Sequence, residues 1–208
     1  MDAFSELLSE VRHCRLCEAH LPLGPRPVVQ LSADARLLII GQAPGTRVHA
    51  SGKPWDDPSG DRLRAWLQMD RQRFYHDPQL GIMPMGFCYP GKGRSGDLPP
   101  RPECAPTWHQ RLREHMPNIA LTLLIGQYAQ RYYLPDVKKG GKPLSLTDRV
   151  RNQPLDGDFL CLPHPSPRNI RWFRQNAWFD DEIVPALQSR LRGTLDPYLP
   201  VTEISPDD

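Results

Sequence analysis

Arg36-Leu37-Leu38-Ile39-Ile40-Gly41-Gln42-Ala43-Pro44-Gly45 decides the fold of this chain. Four aliphatic residues without alternation read as a strand buried on both faces, and such strands belong to parallel sheets covered by helices. The strand ends at Gly41, where a Gly/Pro turn lets backbone N–H groups approach a ligand. A second run, from Ile119 to Gly126, leads at once into a helix predicted over Gln127 to about Leu134. Phe159-Leu160-Cys161-Leu162 reads as the last strand and Ile82 to Cys88 as a weaker one. Strands alternating with helices predict a three-layer α/β/α sandwich around a mostly parallel four-stranded sheet. In such sheets ligands bind outside the carboxyl ends of the strands.

The helical layers follow from spacing. Phe4, Leu7, Leu8 and Val11 make a stripe behind a cap at Asp2. Leu63, Trp66 and Leu67 make another, and a third helix carries Trp108, Leu112 and His115. Residues 135–157 read as a basic loop region, and 170–192 as mainly helix with a break at Pro185. The chain reads as one domain, its core spanning roughly 10–192, with an acidic tail over 193–208.

Composition narrows the class. Proline makes up 24 of 208 residues, about twice ordinary usage, yet 39% apolar content and a net charge of +2 exclude a disordered chain. The prolines therefore belong to ordered loops. No apolar run approaches the ~18 residues of a membrane helix, and the acidic, amphipathic MDAFSELLSEV is not a signal peptide. These features point to the cytoplasm, where five cysteines suggest metal ligation or burial before disulfides. Charge is uneven: eight Lys/Arg against three Asp from Lys138 to Arg174, then two Arg against seven acids from Asn176 onward. A basic segment before an acidic tail suits a phosphate-facing surface, although a solvated Arg-rich loop has the same composition.

Three constellations carry chemistry. The first is the turn at 41–45, continued by Gly52-Lys53-Pro54-Trp55-Asp56-Asp57-Pro58-Ser59-Gly60, which sets an aromatic ring and carboxylates near the same strand end. Asp57-Pro58 is also a good helix start, with Asp as N-cap and Pro at the first helical position. The second is Leu162-Pro163-His164-Pro165-Ser166-Pro167-Arg168-Asn169, where three prolines stiffen the loop that holds His164 and Arg168. The third is Cys14 and Cys17, with two residues between them, and Cys88 and Cys104 far downstream. Four such thiolates suit a tetrahedral sulfur site, and their spacing does not separate zinc from a four-iron cluster. Cys161, within the last strand, reads as core.

Together these features resemble the uracil-DNA glycosylase superfamily, most closely its iron–sulfur branch, often called family 4. GQAPG at 41–45 is similar to that branch's GEAPG, and GKPWDDPSG at 52–60 aligns without a gap to its second loop. HPSP at 164–167 is similar to the superfamily's DNA-intercalation loop, and Cys14, Cys17, Cys88 and Cys104 match the cluster ligands in order. The resemblance covers roughly residues 10–175. It implies excision of uracil or another deaminated base from DNA by base flipping, with a 4Fe–4S cluster (zinc as the alternative), damaged or uracil-containing DNA as partner, no membrane and a monomeric state. Gly41, Ala43, Pro44 and Trp55 would hold the base, and His164 would donate to the departing base anion. A carboxylate would assist the oxocarbenium-like sugar. Pro165, Ser166, Pro167 and Arg168 would enter the minor groove.

The departures fall at the chemistry. The branch's glutamate is Gln42 here, and the next position is Ala43, so neither carries charge. Asp56, Asp57, Asp61 or His49 are the substitutes, Asp57 being best placed, so that the catalytic set is His164, Asp57 and Gln42. The branch's base-reading asparagine aligns with Pro84, which leaves base identity open. Two readings follow: a glycosylase, and a catalytically silent nucleic-acid-binding module on the same scaffold.

Overall fold

The computed structural model describes residues 2–94, 96–135, 138–139 and 142–197. The side chains of Lys138, Lys139 and Lys142 in the basic segment lie outside the described residues, as does the tail beyond 197. The aliphatic run forms β1 (Leu37–Ile40), buried along its whole length. It lies between β2 (Leu80–Ile82) and β3 (Leu121–Ile125), and β6 (Phe159–Leu162) follows on the far side of β3, giving the order β2-β1-β3-β6. All three pairings are parallel, with Leu37 level with both Leu80 and Leu121. The order reverses at β1, so the crevice outside β1 and β3 is where such a sheet offers a ligand site.

Helices cover both faces. Asp2 caps α1 (Ala3–Arg12), accepting from the Ser5 N–H at 2.9 Å. Behind β1 come α2 (Thr46–Ser51), α3 (Pro58–Leu67) and α4 (Arg71–His76), the last capped by Asp70. Next are α5 (Cys104–Glu114) and α6 (Gln127–Tyr133). The C-terminal elements dock on α3 through an aromatic cluster in which Trp66 meets Phe173 and Phe179 edge-on at 5.6 and 4.9 Å. Rings at such angles gain contact beyond area burial alone.

Three sequence expectations shift. The strand predicted over Ile82 to Cys88 is ordered as Leu80–Ile82. The chain still tracks β1, with Met83 and Met85 N–H groups reaching Ile39 and Gly41 carbonyls, while Pro84 between them has no N–H to offer the outer side, where the Ile82–Gln30 pairing stops. The predicted loop at 135–157 contains a two-residue ribbon, β4 (Lys138–Lys139) against β5 (Lys142–Pro143), and a helix, α7 (Leu146–Arg151). Ser145 caps α7, exchanging bonds with the Asp148 N–H and carboxylate. At the C-terminal end the break comes before Pro185. α8 (Ile170–Gln175) ends at Asn176, a π-helical turn spans Phe179–Ile183, and α9 (Val184–Thr194) follows it without a gap, so that the missing N–H of Pro185 falls where the wider π turn hands over to the α-helix.

Both sheet edges are covered. Outside β2, Gln30 exchanges backbone hydrogen bonds with Ile82 at 3.0 and 2.6 Å. Outside β6, the Gln153 amide donates to the Cys161 carbonyl at 2.9 Å and accepts from its N–H at 2.5 Å. A buried Gln130 donates to the Leu124 and Leu162 carbonyls at 3.2 and 3.0 Å, tying together the strand ends from which the site loops leave. Among the described residues no helix is long and apolar enough to cross a membrane.

Candidate active site

The loop after β1, the segment leading into α3 and the loop after β6 meet in one pocket. Gly41, Gln42, Ala43, Pro44, Trp55, Asp57 and His164 all line it. Every residue assigned by sequence to catalysis or base contact therefore shares one cavity. Its remaining walls are mainly apolar, from Val28, Val48, Pro54, Ile82 and Pro84. These were not foreseen, because an aliphatic wall has no motif.

Trp55 is built in rather than laid on. Its backbone is left-handed, with φ of 57°, a conformation that strains a bulky residue. A methyl at Gly41 would stand 2.7 Å from the Trp55 ring, and one at Gly60 would overlap the Trp55 carbonyl oxygen. The two glycines thus make the slot for its ring and its backbone. The buried Arg64 donates to that same carbonyl at 3.1 Å and pairs with Asp61 at 2.5 Å.

Across the pocket the His164 ring lies 5.5 Å from Trp55, centroid to centroid. Gly126 after β3 lies beside it, and its left-handed φ of 81°, rather than want of space, is what asks for glycine: a methyl there would sit in ordinary contact, 3.8 Å from His164 Cβ. The Ser166 N–H donates to His164 Nδ1 at 3.2 Å, which places the proton of the neutral ring on Nε2. Burial pushes the His164 pKa below its ordinary value, and the nearby Asp57 carboxylate offsets part of that. His164 is thus a neutral donor held in one tautomer. Asn169 fixes the loop by donating to the His164 carbonyl at 2.8 Å.

The substitute acids separate cleanly. Asp57 lines the pocket while one of its oxygens caps α3, accepting from the Gly60 N–H at 2.8 Å. It is cap and pocket carboxylate at once, because a carboxylate has acceptor capacity left after one such bond. Asp56 is held by Arg71 at 2.7 Å, which with neighbouring cations keeps its pKa low, and Asp61 is held by Arg64. His49 packs near Tyr89, its ring centroid 6.2 Å away, and burial and Arg26 lower its pKa. Gln42 contributes an amide whose nitrogen reaches the Leu98 carbonyl at 3.4 Å.

In the loop after β6, Pro165 is buried, Ser166 half-buried, and Pro167 and Arg168 exposed in a turn of 3-10 helix. Of the four residues assigned to DNA contact, Pro165 therefore braces the loop, and the exposed pair presents a surface.

Cys14, Cys17, Cys88 and Cys104 line a second, separate cleft with Leu21, Pro27, Gly86, Phe87 and Arg101. Burial pushes the thiols of Cys88 and Cys104 up to about 11 and about 12, and that of Cys17 upward too. As thiolates they would need a nearby cation to offset that burial. The Phe87 N–H points at Cys104 Sγ, 3.3 Å away. Among the described residues no three such groups converge closely enough for a single ion. Cys161 is buried in β6, away from the other four.

The model of the uracil DNA glycosylase superfamily matches residues 28–188, so the chain belongs to that superfamily.

Proposed function

We propose that this protein is a DNA glycosylase that releases uracil or another deaminated base from DNA. The observation that carries the reading is the single pocket in which a strained, walled-in Trp55 faces a neutral His164 with its Nε2 proton available. A base turned out of the duplex would stack on Trp55. As the C1′–N bond breaks, its electron pair leaves on the base, and His164 Nε2–H stabilises the negative charge that develops there. Asp57 faces the positively charged sugar, and water adds to C1′ with its proton passing to that carboxylate. The apolar walls exclude competing water. Because Pro84 offers no side-chain amide, stacking and shape rather than a full edge code govern the choice among deaminated bases.

The test is release of base from oligonucleotides containing uracil, xanthine or hypoxanthine. Release from at least one is expected, and His164→Ala lowers it by at least ~100-fold. A loss under about tenfold removes His164 from the chemistry. A second reading, a silent binding module, is favoured by the uncharged Gln42 amide, which lies against the Leu98 carbonyl. Tight binding to abasic DNA without release from any substrate would select it.

For the thiol cleft we propose a 4Fe–4S cluster held by Cys14, Cys17, Cys88 and Cys104. When bound it ties the N-terminal segment to the start of α5 and takes no part in base release. Freshly purified protein is expected to be brown and to contain iron and sulfide. A colourless protein with one zinc per chain would keep the fold reading and discard the cluster.

A further inference from the structure

A cavity of about 260 Å³ lies beside the edge strand β6 and shares no residue with the pocket of Trp55 and His164. Leu134, Leu144, Pro154, Phe159 and Cys161 give it apolar walls, and α7 contributes Arg149. An apolar cavity of roughly 150 Å³ already accepts a benzene ring, so this one has room for a bicyclic ring or a medium-length alkyl chain. The space is walled mainly by side chains whose backbone bonds are made elsewhere. Gln153, for example, lines it while holding both backbone groups of Cys161.

Arg149 gives this cavity its chemistry. The residue is only 6% exposed, and a charged side chain is seldom so buried without a partner. Its Nη1 donates to the Leu134 carbonyl at 2.9 Å, and among the described residues it takes part in no ion pair. That bond uses one of the five N–H donors of a guanidinium. The two acids on the walls are occupied elsewhere. The Asp148 carboxylate accepts from Ser145 Oγ at 2.8 Å, and Asp158 is exposed to solvent. Burial raises the Cys161 thiol to about 11, and the Arg149 charge opposes that rise. The field of this cation is thus felt at the cavity wall.

We propose that this cavity binds an apolar monocarboxylate, an aryl or medium-chain alkyl acid whose body fills the walls and whose carboxylate pairs with Arg149. A planar guanidinium suits a carboxylate because two N–H groups can meet two oxygens side by side. A single negative charge is favoured over the double charge of a phosphate ester, which would face Asp148 and Asp158 across the same space. The site stands apart from the glycosylase reading and does not depend on it. Cys161 lies three residues before His164, so an occupant rests against the strand that leads to the base pocket without entering it.

The experiment is calorimetric titration of the full chain at neutral pH with naphthoate, octanoate, the neutral naphthamide and naphthyl phosphate. One-to-one binding of naphthoate or octanoate is expected. Naphthamide is expected to bind at least ~10-fold more weakly than naphthoate, the scale of a lost charge-assisted hydrogen bond. Arg149→Gln is expected to abolish that preference, so that acid and amide bind alike. Because Arg149 also braces the Leu134 carbonyl, thermal unfolding is measured for each variant. Leu144 is a half-buried wall residue, and Leu144→Trp fills the space while leaving Arg149 in place. It is expected to abolish binding without lowering the unfolding temperature. Absence of binding by both carboxylates overturns the site, as does binding that survives Leu144→Trp unchanged. Naphthamide bound as tightly as naphthoate, or naphthyl phosphate bound more tightly, overturns the carboxylate assignment. Should Arg149→Gln fail to fold, the acid–amide comparison and Leu144→Trp decide the matter.

Discussion

Trp55 holds its unusual backbone because its neighbours leave it no alternative. Left-handed φ in a bulky residue costs roughly 1–3 kcal/mol and persists only where the surroundings over-determine it. Here Gly41 backs the ring, Gly60 makes room for the carbonyl, and Arg64 bonds that carbonyl at 3.1 Å. Gly60 lies in the first turn of α3, where glycine to alanine ordinarily helps a helix by up to ~1 kcal/mol. Gly60→Ala is expected to do the opposite, destabilising the protein by at least ~2 kcal/mol in urea unfolding, because the new methyl meets backbone rather than a movable side chain. A neutral or stabilising result would mean that Trp55 can leave its slot freely. At this scale the sequence was informative where chemistry and local spacing coincide: Gln42, Trp55, Asp57 and His164 stand in short motifs, and all four reach the pocket. Val28, Val48 and Ile82 were invisible because any aliphatic residue makes the same wall, and Arg64 because nothing local distinguishes a buried arginine from a solvated one on a helix.

The elements were legible in proportion to how strongly one signal dominated. β1, β3 and β6 are short runs buried on both faces, and each stands within a residue or two of its aliphatic stretch. β2 was harder. Leu80-Gly81-Ile82 is brief, and the stretch after it stays extended beside β1 without regular pairing, so the apolar run from Ile82 to Cys88 overstates the strand. α7 was hidden by charge: its apolar positions are few, and its start is announced by the Ser145 cap rather than by a stripe. Pro185 misled through position. Proline breaks a regular helix interior, and only the fold shows that a π-helical turn immediately before Val184 takes up its missing N–H. The short ribbon of residues 91–94 and 96–98 hid within a Gly/Pro-rich stretch that reads as plain loop, because its ordering bonds are backbone bonds that no side-chain pattern records.

The molecule as a whole carries a buried histidine outside the pocket that ties stability to pH. His109 on α5 is 1% exposed, stacked on Phe87, with the Pro84 carbonyl at 3.1 Å from Nε2 and the Tyr133 hydroxyl at 2.7 Å from Nδ1. It thereby joins α5, α6 and the back wall of the pocket. Burial lowers its pKa to about 4, so in the folded state it stays neutral where the unfolded chain has already taken up a proton. Stability from this group is full above its ordinary value of 6.5 and is lost as pH falls from there towards about 4, by up to roughly 3 kcal/mol. His164, also depressed, acts with the same sign. Urea midpoints at neutral pH and near pH ~4.5 are expected to separate strongly in wild type and less in His109→Gln, the comparison cancelling contributions common to both proteins. Equal separations would show that His109 protonates freely in the folded state.

The sheet is open in topology, yet among the described residues each edge strand is bonded on its outer side at one position. Gln30 closes one side with its backbone, and Gln153 closes the other with a side chain that imitates a peptide unit. A protein gathered along a polyanion is crowded against its own copies, where bare strand edges would invite strand-to-strand growth into insoluble fibres. Two glutamines at opposite margins interrupt those edges, so dense loading on the polymer meets no uninterrupted strand to extend.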